Sequence, residues 1–339
     1  MKPIGLDPLR DRVLRALQRH GVPAGHAHMQ ADLLIEAELR GRPSHGLLRL
    51  NRVVERIRNG MADPLARGEH RWRGNFLEVD GQRGLGPVVA LAALEQLAAR
   101  ARSGGIAIAA IRNNNHLGML AWYAERIARQ GLVLIALCNS EALVHPWGGR
   151  KAMLGTNPIA IGVPGPDEPF VMDMATSLVS MGQIHDHANR GCPIPANWAL
   201  DADGEPTTDA MAAKSGSIAP FGEAKGYALG LAFEVLIGTL TASAVGPDVH
   251  GTLDSDRPCN KGDVFIVIDP GSRQGTAAAI AAYLDRVRAS GHPGPVGVPG
   301  DRARACRRQR IEGGIPMDES LWEQLGQLAG DTAGLEKTA

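Results

Sequence analysis

The sequence predicts an α/β protein, with a helical N-terminal region followed by a sheet on which further helices pack. Two patterns carry this. Up to about residue 60 the apolar residues keep helical spacing and each run ends on glycine; from about Phe76 short β-branched runs alternate with longer Ala/Leu-rich ones. The chain has 339 residues, 44% of them apolar and 21% charged. That suits about two domains with filled cores and excludes global disorder.

The first helix is expected after Asp7-Pro8, an N-cap followed by a first-turn proline, with Gly21 at its C-terminal end. A second is expected from Ala24 to Arg40, stopped by Gly41. A third is expected from Ser44, with Leu47, Leu50, Val54 and Ile57 at helical spacing and Gly60 as its stop. FLEV (76–79) reads as a strand, Pro87 to Arg102 as a helix, IAIAAI (106–111) as a buried strand and Leu117 to Gln130 as a helix. LVLIALC (132–138), PIAIGV (158–163) and FVMDM (170–174) read as strands. A long helix is expected near 223–242; its most apolar stretch, Gly226 to Val245, is expected to be buried, although it holds a carboxylate, Glu234. FIVID (265–269) adds a strand and Gly275 to Ala289 a helix; the tail from Gly291 is Pro/Gly-rich, then Arg-rich.

Several function classes are disfavoured by composition. Lys+Arg and Asp+Glu are both 36, so the formal net charge is zero, against the basic excess usual in nucleic-acid binders. Residues 1–73 do carry fourteen Lys/Arg against eight Asp/Glu, expected as Arg-rich exposed helix faces. A nucleic-acid-binding regulator using those helices is the rival from another class. No window has the roughly 18 uncharged apolar residues of a membrane span, and the N-terminus has no apolar signal core. The four cysteines, Cys138, Cys192, Cys259 and Cys306, form no C-x-x-C pair, which argues against structural zinc and suits a reducing cytoplasm.

Four stretches hold chemistry-bearing residues. In Ser44-His45-Gly46-x-x-Arg49, Ser44 is expected to cap the third helix and His45 and Arg49 to share one helix face; alone the stretch reads first as a cap with an incidental surface His and Arg, and otherwise as a proton carrier beside a carboxylate clamp. Asn113-Asn114-Asn115-His116-Leu117-Gly118 follows a buried strand, where ligands bind in open α/β sheets, and has more Asn than one turn requires. Gly148-Gly149 and Gly155-Thr156-Asn157-Pro158 form a glycine-dense loop pair. Asp173-Met174-Ala175-Thr176 ends a strand and is expected to open a helix whose N-terminus attracts phosphate, while Lys225 opposes the dipole of the helix it starts. Two signals fail. Gly84-Leu85-Gly86 lacks the third glycine of the dinucleotide fingerprint, since position 89 is Val. His185-Asp186-His187 resembles a metal cluster, as a metal-dependent hydrolase would need, but residues two apart on a helix point to different faces. Arg302, Arg304, Arg307, Arg308 and Arg310 are expected to form a solvated face.

Taken in order, RGRPSHGLLRL, NNNHLGMLAWYAE, HPWGGRKAMLGTNPIAIGVP, VMDMATSLVSMGQI, IPANWALDADGEPTTD, PFGEAKGYALGL and VPGDRAR resemble the malate/L-lactate dehydrogenase family of the second type, over about residues 8 to 316. That family includes ureidoglycolate, sulfolactate and 2,3-diketogulonate oxidoreductases and piperideine-2-carboxylate reductase. The resemblance implies a non-Rossmann nucleotide-binding sheet domain plus a helical substrate domain. It assigns 1–73 to the helical domain, 74–270 to the cofactor domain and 271–339 to a segment returning to the helical domain. It further implies a homodimer, NAD or NADP as hydride carrier, no metal, and a small 2-oxo or 2-hydroxy acid as substrate; composition adds the expectation of a cytoplasmic protein with no nucleic acid and no membrane partner.

By the same resemblance His45 matches the family's proton donor with Ser44 as its relay. Arg49 matches the arginine that binds the substrate carboxylate, and Thr156 a substrate contact. His116 matches a histidine that serves as acid/base in some members, so the proton falls to His45 or His116, with His45 preferred. His116, Leu117, Gly118, Met119, Leu120, Ser140, Asp173, Met174, Ala175 and Lys225 match cofactor-binding positions. The chain departs from the pattern at Met181-Gly182-Gln183, where many members have Arg-Gly-Lys or Arg-Gly-Asp. The acidic relay of imine-reducing members is thus Gln183, which favours a hydroxy acid over the alternative, NADPH-dependent reduction of a cyclic imine carboxylate. The closing P-G-E is P-G-D, with Asp301.

Overall fold

The computed structural model describes residues 1–272 and 275–331. Its N-terminal part is β1 (Lys2–Ile4), α1 (Leu6–Arg19), α2 (Ala24–Leu39) and α3 (Leu50–Arg58). Gly21, Gly41 and Gly60 follow these helices with positive φ, as C-terminal glycines should. Two starts differ from expectation. Gly5, not Asp7, is the N-cap of α1 and gives no side-chain bond. No helix begins at Ser44: residues 43–45 and 47–49 form two short 3-10 turns, broken at Gly46. The cause is Glu38, a buried carboxylate on α2 that accepts the Leu47 N–H at 2.9 Å and fills the space a Cβ of residue 46 would need.

The centre is β2 (Glu69–Arg73), β3 (Phe76–Asp80), α4 (Gly86–Gly104), β4 (Ile106–Arg112), α5 (Leu120–Ala128), β5 (Val133–Cys138), β6 (Ile159–Val163) and β7 (Phe170–Met174). Then come α6 (Met181–Asn189), β8 (Ala199–Leu200), α7 (Ala210–Ala213), β9 (Ser217–Ile218), α8 (Ala224–Thr241), β10 (Asp263–Ile268) and α9 (Thr276–Ala289), and the chain closes with α10 (Asp301–Gly313), β11 (Ile315–Met317) and α11 (Glu319–Ala329). The seven-stranded sheet has the order β2-β3-β4-β10-β5-β6-β7. Only β3 and β4 run parallel; every other neighbouring pair is antiparallel. A doubly wound parallel sheet is thereby excluded, in keeping with the absent glycine fingerprint.

On one face of the sheet, α4 and α5 bury Leu94, Leu97, Tyr123 and Ile127 against Leu77, Ile111 and Phe265. On the other, α8 crosses β4, β10 and β5, with Ile237 beside Leu137 and Val264. A second core joins α1, α2 and α3 to α11, and β1 pairs with β11. β11 and α11 therefore pack in the helical region.

Further differences concern helices. Residues 117–119 lie outside any helix, with Gly118 at φ 71°, so α5 starts at Leu120. No helix opens at Thr176; the next one starts at Met181. α8 is apolar but not buried, with Val235 59% and Leu236 42% exposed. The late arginines are not one solvated face: Arg307 pairs with Glu36, Arg304 with Asp301, and Arg310 bonds the Glu38 carbonyl, while Arg302 and Arg308 stay exposed. The N-terminal arginines are not all exposed either, since Arg56 is buried and Arg40 is held by Glu36 and Glu125.

Candidate active site

Strand register gathers the chemistry at one end of the sheet. Asp263 lies opposite both Ile111 and Cys138, and Ile159 lies opposite both Leu137 and Met174. The segments 113–119, 139–157, 175–180 and 244–262 consequently leave from the same end, and the 44–49 turns approach it from the helical region.

Two imidazoles meet there. The His45 and His116 rings stack with centroids 5.7 Å apart and planes at 24°. Ser44 does not cap a helix; its Oγ lies 3.1 Å from His45 Nδ1. His116 Nδ1 accepts the Gly118 N–H at 3.1 Å. Neutral His116 therefore has its proton on Nε2 and offers a donor to the cleft, whereas the Ser44 hydroxyl can accept from His45 Nδ1–H and leave His45 Nε2 free as a base. Burial, then the charges of Arg49 and Arg42, push His45 down to about 4. Burial, then Arg49, His45 and Lys261, hold His116 well below the usual histidine range. Both rings are neutral at pH 7.

Arg49 reaches the pair from the second 3-10 turn rather than from a shared helix face. Its Nε donates to the Ser44 carbonyl at 2.9 Å and one terminal nitrogen to the Thr252 carbonyl at 3.4 Å. Among the described residues no carboxylate forms a salt bridge with it. Burial, then Arg52, lowers its pKa, and the nearby Glu141 opposes that. Glu141 itself accepts from Thr252 N, Thr252 Oγ1 and Leu253 N, so it holds the loop that holds Arg49. A half-buried cation without its own anion can grip the carboxylate of a ligand.

Each asparagine of the 113–115 run has its own anchor. Asn113, at φ 52°, donates to Asp80; Asn114 donates to Asp263; Asn115 donates to the Arg83 and Gly84 carbonyls and accepts from Arg56. That is why one turn needs three. Gly86 at the start of α4 lies so close to this turn that a Cβ would overlap the His116 carbonyl. Gly86→Ala is expected to cost about 1–3 kcal/mol, as overpacking does, read as a lower Tm together with lost turnover.

Leu117, Met119 and Leu120 have side chains buried in the sheet core, so only their backbone can face a ligand. The Tyr123 hydroxyl donates to the Leu117 carbonyl at 2.7 Å and fixes that backbone. Asp173 caps no following helix. Its Oδ2 accepts the Ala121 N–H at 2.8 Å and so caps α5 across the sheet. Burial raises its pKa against that bond and against Arg42 and Arg40. Thr176 donates from N and Oγ1 to the Thr156 carbonyl, and Thr156 N donates to Ser140 Oγ at 3.1 Å. Residues 120, 173, 176, 156 and 140 thus form a continuous band, with Met174 exposed and Ala175 half-buried within it. Lys225 is exposed on the first turn of α8, shortly after Phe221, whose amide bonds the Thr176 carbonyl. Gly148-Gly149 makes a tight turn on the Pro146 carbonyl.

Three residues of the site were not singled out from sequence. Arg56 and Glu141 carry no motif. Glu234, the lone carboxylate of the apolar run, accepts from Asn139, Gly155, Asn157 and Gly246 and so pins the loops bearing Ser140 and Thr156. Its isolation in that run was the legible signal. His185, Asp186 and His187 do not converge: His187 Nδ1 meets the Pro193 carbonyl and Asp186 pairs with Arg190. Among the described residues no group of three or more His, Cys, Asp or Glu could hold a metal ion. Gln183 is spent in a capping box with Ser180 at the start of α6.

Residues 4–326 match the family model described as malate/L-lactate dehydrogenase. The chain is 37% identical over 314 residues to L-sulfolactate dehydrogenase of Methanothermobacter thermautotrophicus, covering 91% of each chain. It is 35% identical to delta(1)-pyrroline-2-carboxylate reductase of Pseudomonas fluorescens, covering 96% of this chain and 98% of that one. Among solved structures, a dehydrogenase from Sinorhizobium meliloti superposes with TM-score 0.93 at 52% identity, over 97% of this chain and 98% of that one.

Proposed function

The chain belongs to the malate/L-lactate dehydrogenase family, and from that premise we propose that it moves a hydride between NAD or NADP and C2 of a small 2-hydroxy or 2-oxo acid. One observation carries this: a half-buried guanidinium, Arg49, forms no salt bridge with a carboxylate among the described residues and lowers the pKa of two neighbouring imidazoles. Arg49 holds the substrate carboxylate with its uncommitted N–H groups. His45 takes the hydroxyl proton in oxidation and returns it in reduction, with Ser44 Oγ fixing its Nδ1. His116 Nε2–H donates to the same oxygen. Thr156 lines the substrate side.

The 116–120 backbone, Ser140, Asp173, Met174, Ala175 and Lys225 suit a dinucleotide. They form one band that offers exposed apolar surface at Met174 and Leu178, and a cation, Lys225, that forms no salt bridge among the described residues. The bound cofactor supplies the hydride chemistry. In this proposal residues 1–73 and the returning 271–339 hold the substrate, and 74–270 hold the cofactor. Arg42, exposed beside His45, would meet a second acidic group, as in the sulfolactate and malate substrates after which relatives are named.

Reduction of a cyclic imine carboxylate is the second reading, because relatives at 35% identity are pyrroline-2-carboxylate reductases. Gln183 weighs against it, since an amide committed to a helix cap carries no proton. The deciding assay follows NADH and NADPH oxidation by absorbance across 2-oxo acids, with a cyclic imine carboxylate included and with chelator added. Oxidation of either cofactor by a 2-oxo acid, indifferent to chelator, is expected. Turnover of the imine alone would reverse the order of the two readings, and inertness throughout would remove both.

We also propose a homodimer in the cytoplasm. α8 leaves Leu231, Val235 and Leu236 at 38%, 59% and 42% exposure, and α9 buries no residue against its own chain. A second copy would cover such an apolar face. No helix among the described residues is long and apolar enough to cross a membrane, and the four cysteines are unpaired. Val235→Glu is expected to convert a dimer into monomers by light scattering; an unchanged mass would place the contact elsewhere.

A further inference from the structure

Arg56 lies in α3, seven residues after Arg49, the residue that caps that helix's N-terminus. Unlike Arg49, Arg56 is fully committed. Its Nε donates to Asn115 Oδ1 at 2.8 Å, one terminal nitrogen to the Asp254 carbonyl at 2.9 Å and the other to the Met61 carbonyl at 3.4 Å. Only 4% of the residue is exposed. Three separate pieces of chain therefore meet on one planar fork. Asn115 is joined by a peptide bond to His116. Asp254 lies two residues from Thr252, the residue whose carbonyl accepts from Arg49.

We propose that Arg56 is the positioning residue that sets the His116 imidazole against the Arg49 guanidinium, by gripping Asn115 and the 252–254 loop together. The proposal rests on the reading of Arg49 and His116 as substrate-facing groups. Among the described residues no other side chain is bonded to both Asn115 and the 252–254 loop. Asn115's other bonds run to Arg83 and Gly84, on the sheet side, and Glu55 and Asn59 hold the loop only at Ser255. Arg56 joins the helical region, which brings the clamp, to the sheet end, which brings the imidazole. Planarity matters: lysine would keep the charge but could not hold both partners at fixed angles.

The test uses full-length Arg56→Lys, Asn115→Ala and the double variant, with thermal unfolding to verify folding and Arg56→Gln held in reserve. One readout needs no substrate. Diethylpyrocarbonate labelling of His116, followed by peptide mass spectrometry, is normalised to the exposed His28. Labelling of His116 is expected to accelerate several-fold in each variant as the turn loosens. The second readout is steady-state kinetics. Arg56→Lys is expected to lower kcat and raise KM for the 2-oxo acid, since it disturbs imidazole and clamp together; small misplacements can cost about 10²-fold. Asn115→Ala should lower kcat with little change in KM. The double variant should be no worse than the poorer single, because both break one linkage. Unaltered His116 labelling in both single variants overturns the proposal, and so does a double variant whose loss is the product of the singles. A parent enzyme inert to every acid would remove the functional reading instead, and the labelling would still decide the role of Arg56.

Discussion

Arg49→Lys is expected to lower kcat/KM for the 2-oxo acid by about 10–10²-fold, and Arg49→Met by about 10²–10³-fold. The two losses have different origins. Lysine keeps the charge but has one point donor where arginine has a fork. It must also replace the bonds that fix Arg49 to the Ser44 and Thr252 carbonyls. Losing one charge-assisted hydrogen bond is worth about 1.5–3 kcal/mol, which matches the smaller factor. Methionine removes the charge and leaves a substrate carboxylate without its partner in a partly desolvated cleft, a change that costs about 2–5 kcal/mol. KM should rise in both. Arg49→Met has a second signature. Arg49 is a named cause of the low pKa of both His45 and His116, so removing it should move the acid limb of kcat/KM upward. Arg49→Lys should leave the limb near its original place. An unchanged kcat/KM in Arg49→Lys with the true substrate would remove Arg49 from the site.

The contrast between Arg49 and Arg56 shows what sequence could and could not disclose. Local pattern placed six of the seven strands of the central sheet, all but β2, most helices and the glycine stops, because side-chain period and φ > 0 turns are local properties. The S-H-G-x-x-R and N-N-N-H stretches stood out for the same reason. What escaped depends on contacts distant in the chain. Arg56 meets Asn115 and Asp254, and Glu141 meets Thr252, at separations that no period reports. Ser44 matched a capping pattern, yet the buried Glu38 claims the Leu47 amide and forces two 3-10 turns instead. Asp173 matched a cap for the helix after it, yet strand order sets it beside the first turn of α5. The apolar composition of α8 predicts burial, yet a single chain leaves one side of it open. The family resemblance supplied roles for positions, while the bonding of the two imidazoles supplied the distinction between them.

That distinction yields the last expectation. His45→Asn should lower kcat by about 10²–10⁴-fold, the range for a positioned acid/base, and should flatten the pH profile. His116→Asn should cost nearer tenfold and keep the profile. With Nδ1 held by the Gly118 N–H, neutral His116 acts as an Nε2–H donor, a part that an amide can largely fill. His45 has its Nδ1 on a hydroxyl that can accept, so Nε2 is open to a proton. The sign of the pH effect follows. In the free enzyme burial, Arg49 and Arg42 hold His45 down to about 4, so the base is available at neutrality, and kcat/KM for alcohol oxidation should stay flat until the pH nears that value. Once a carboxylate sits on Arg49, its charge offsets the guanidinium and the His45 pKa rises. The acid limb of kcat should therefore lie above that of kcat/KM. Limbs in the reverse order would mean that no anion is bound beside His45 during turnover. Equal losses in the two Asn variants, with both profiles flattened, would mean that the imidazoles share the proton.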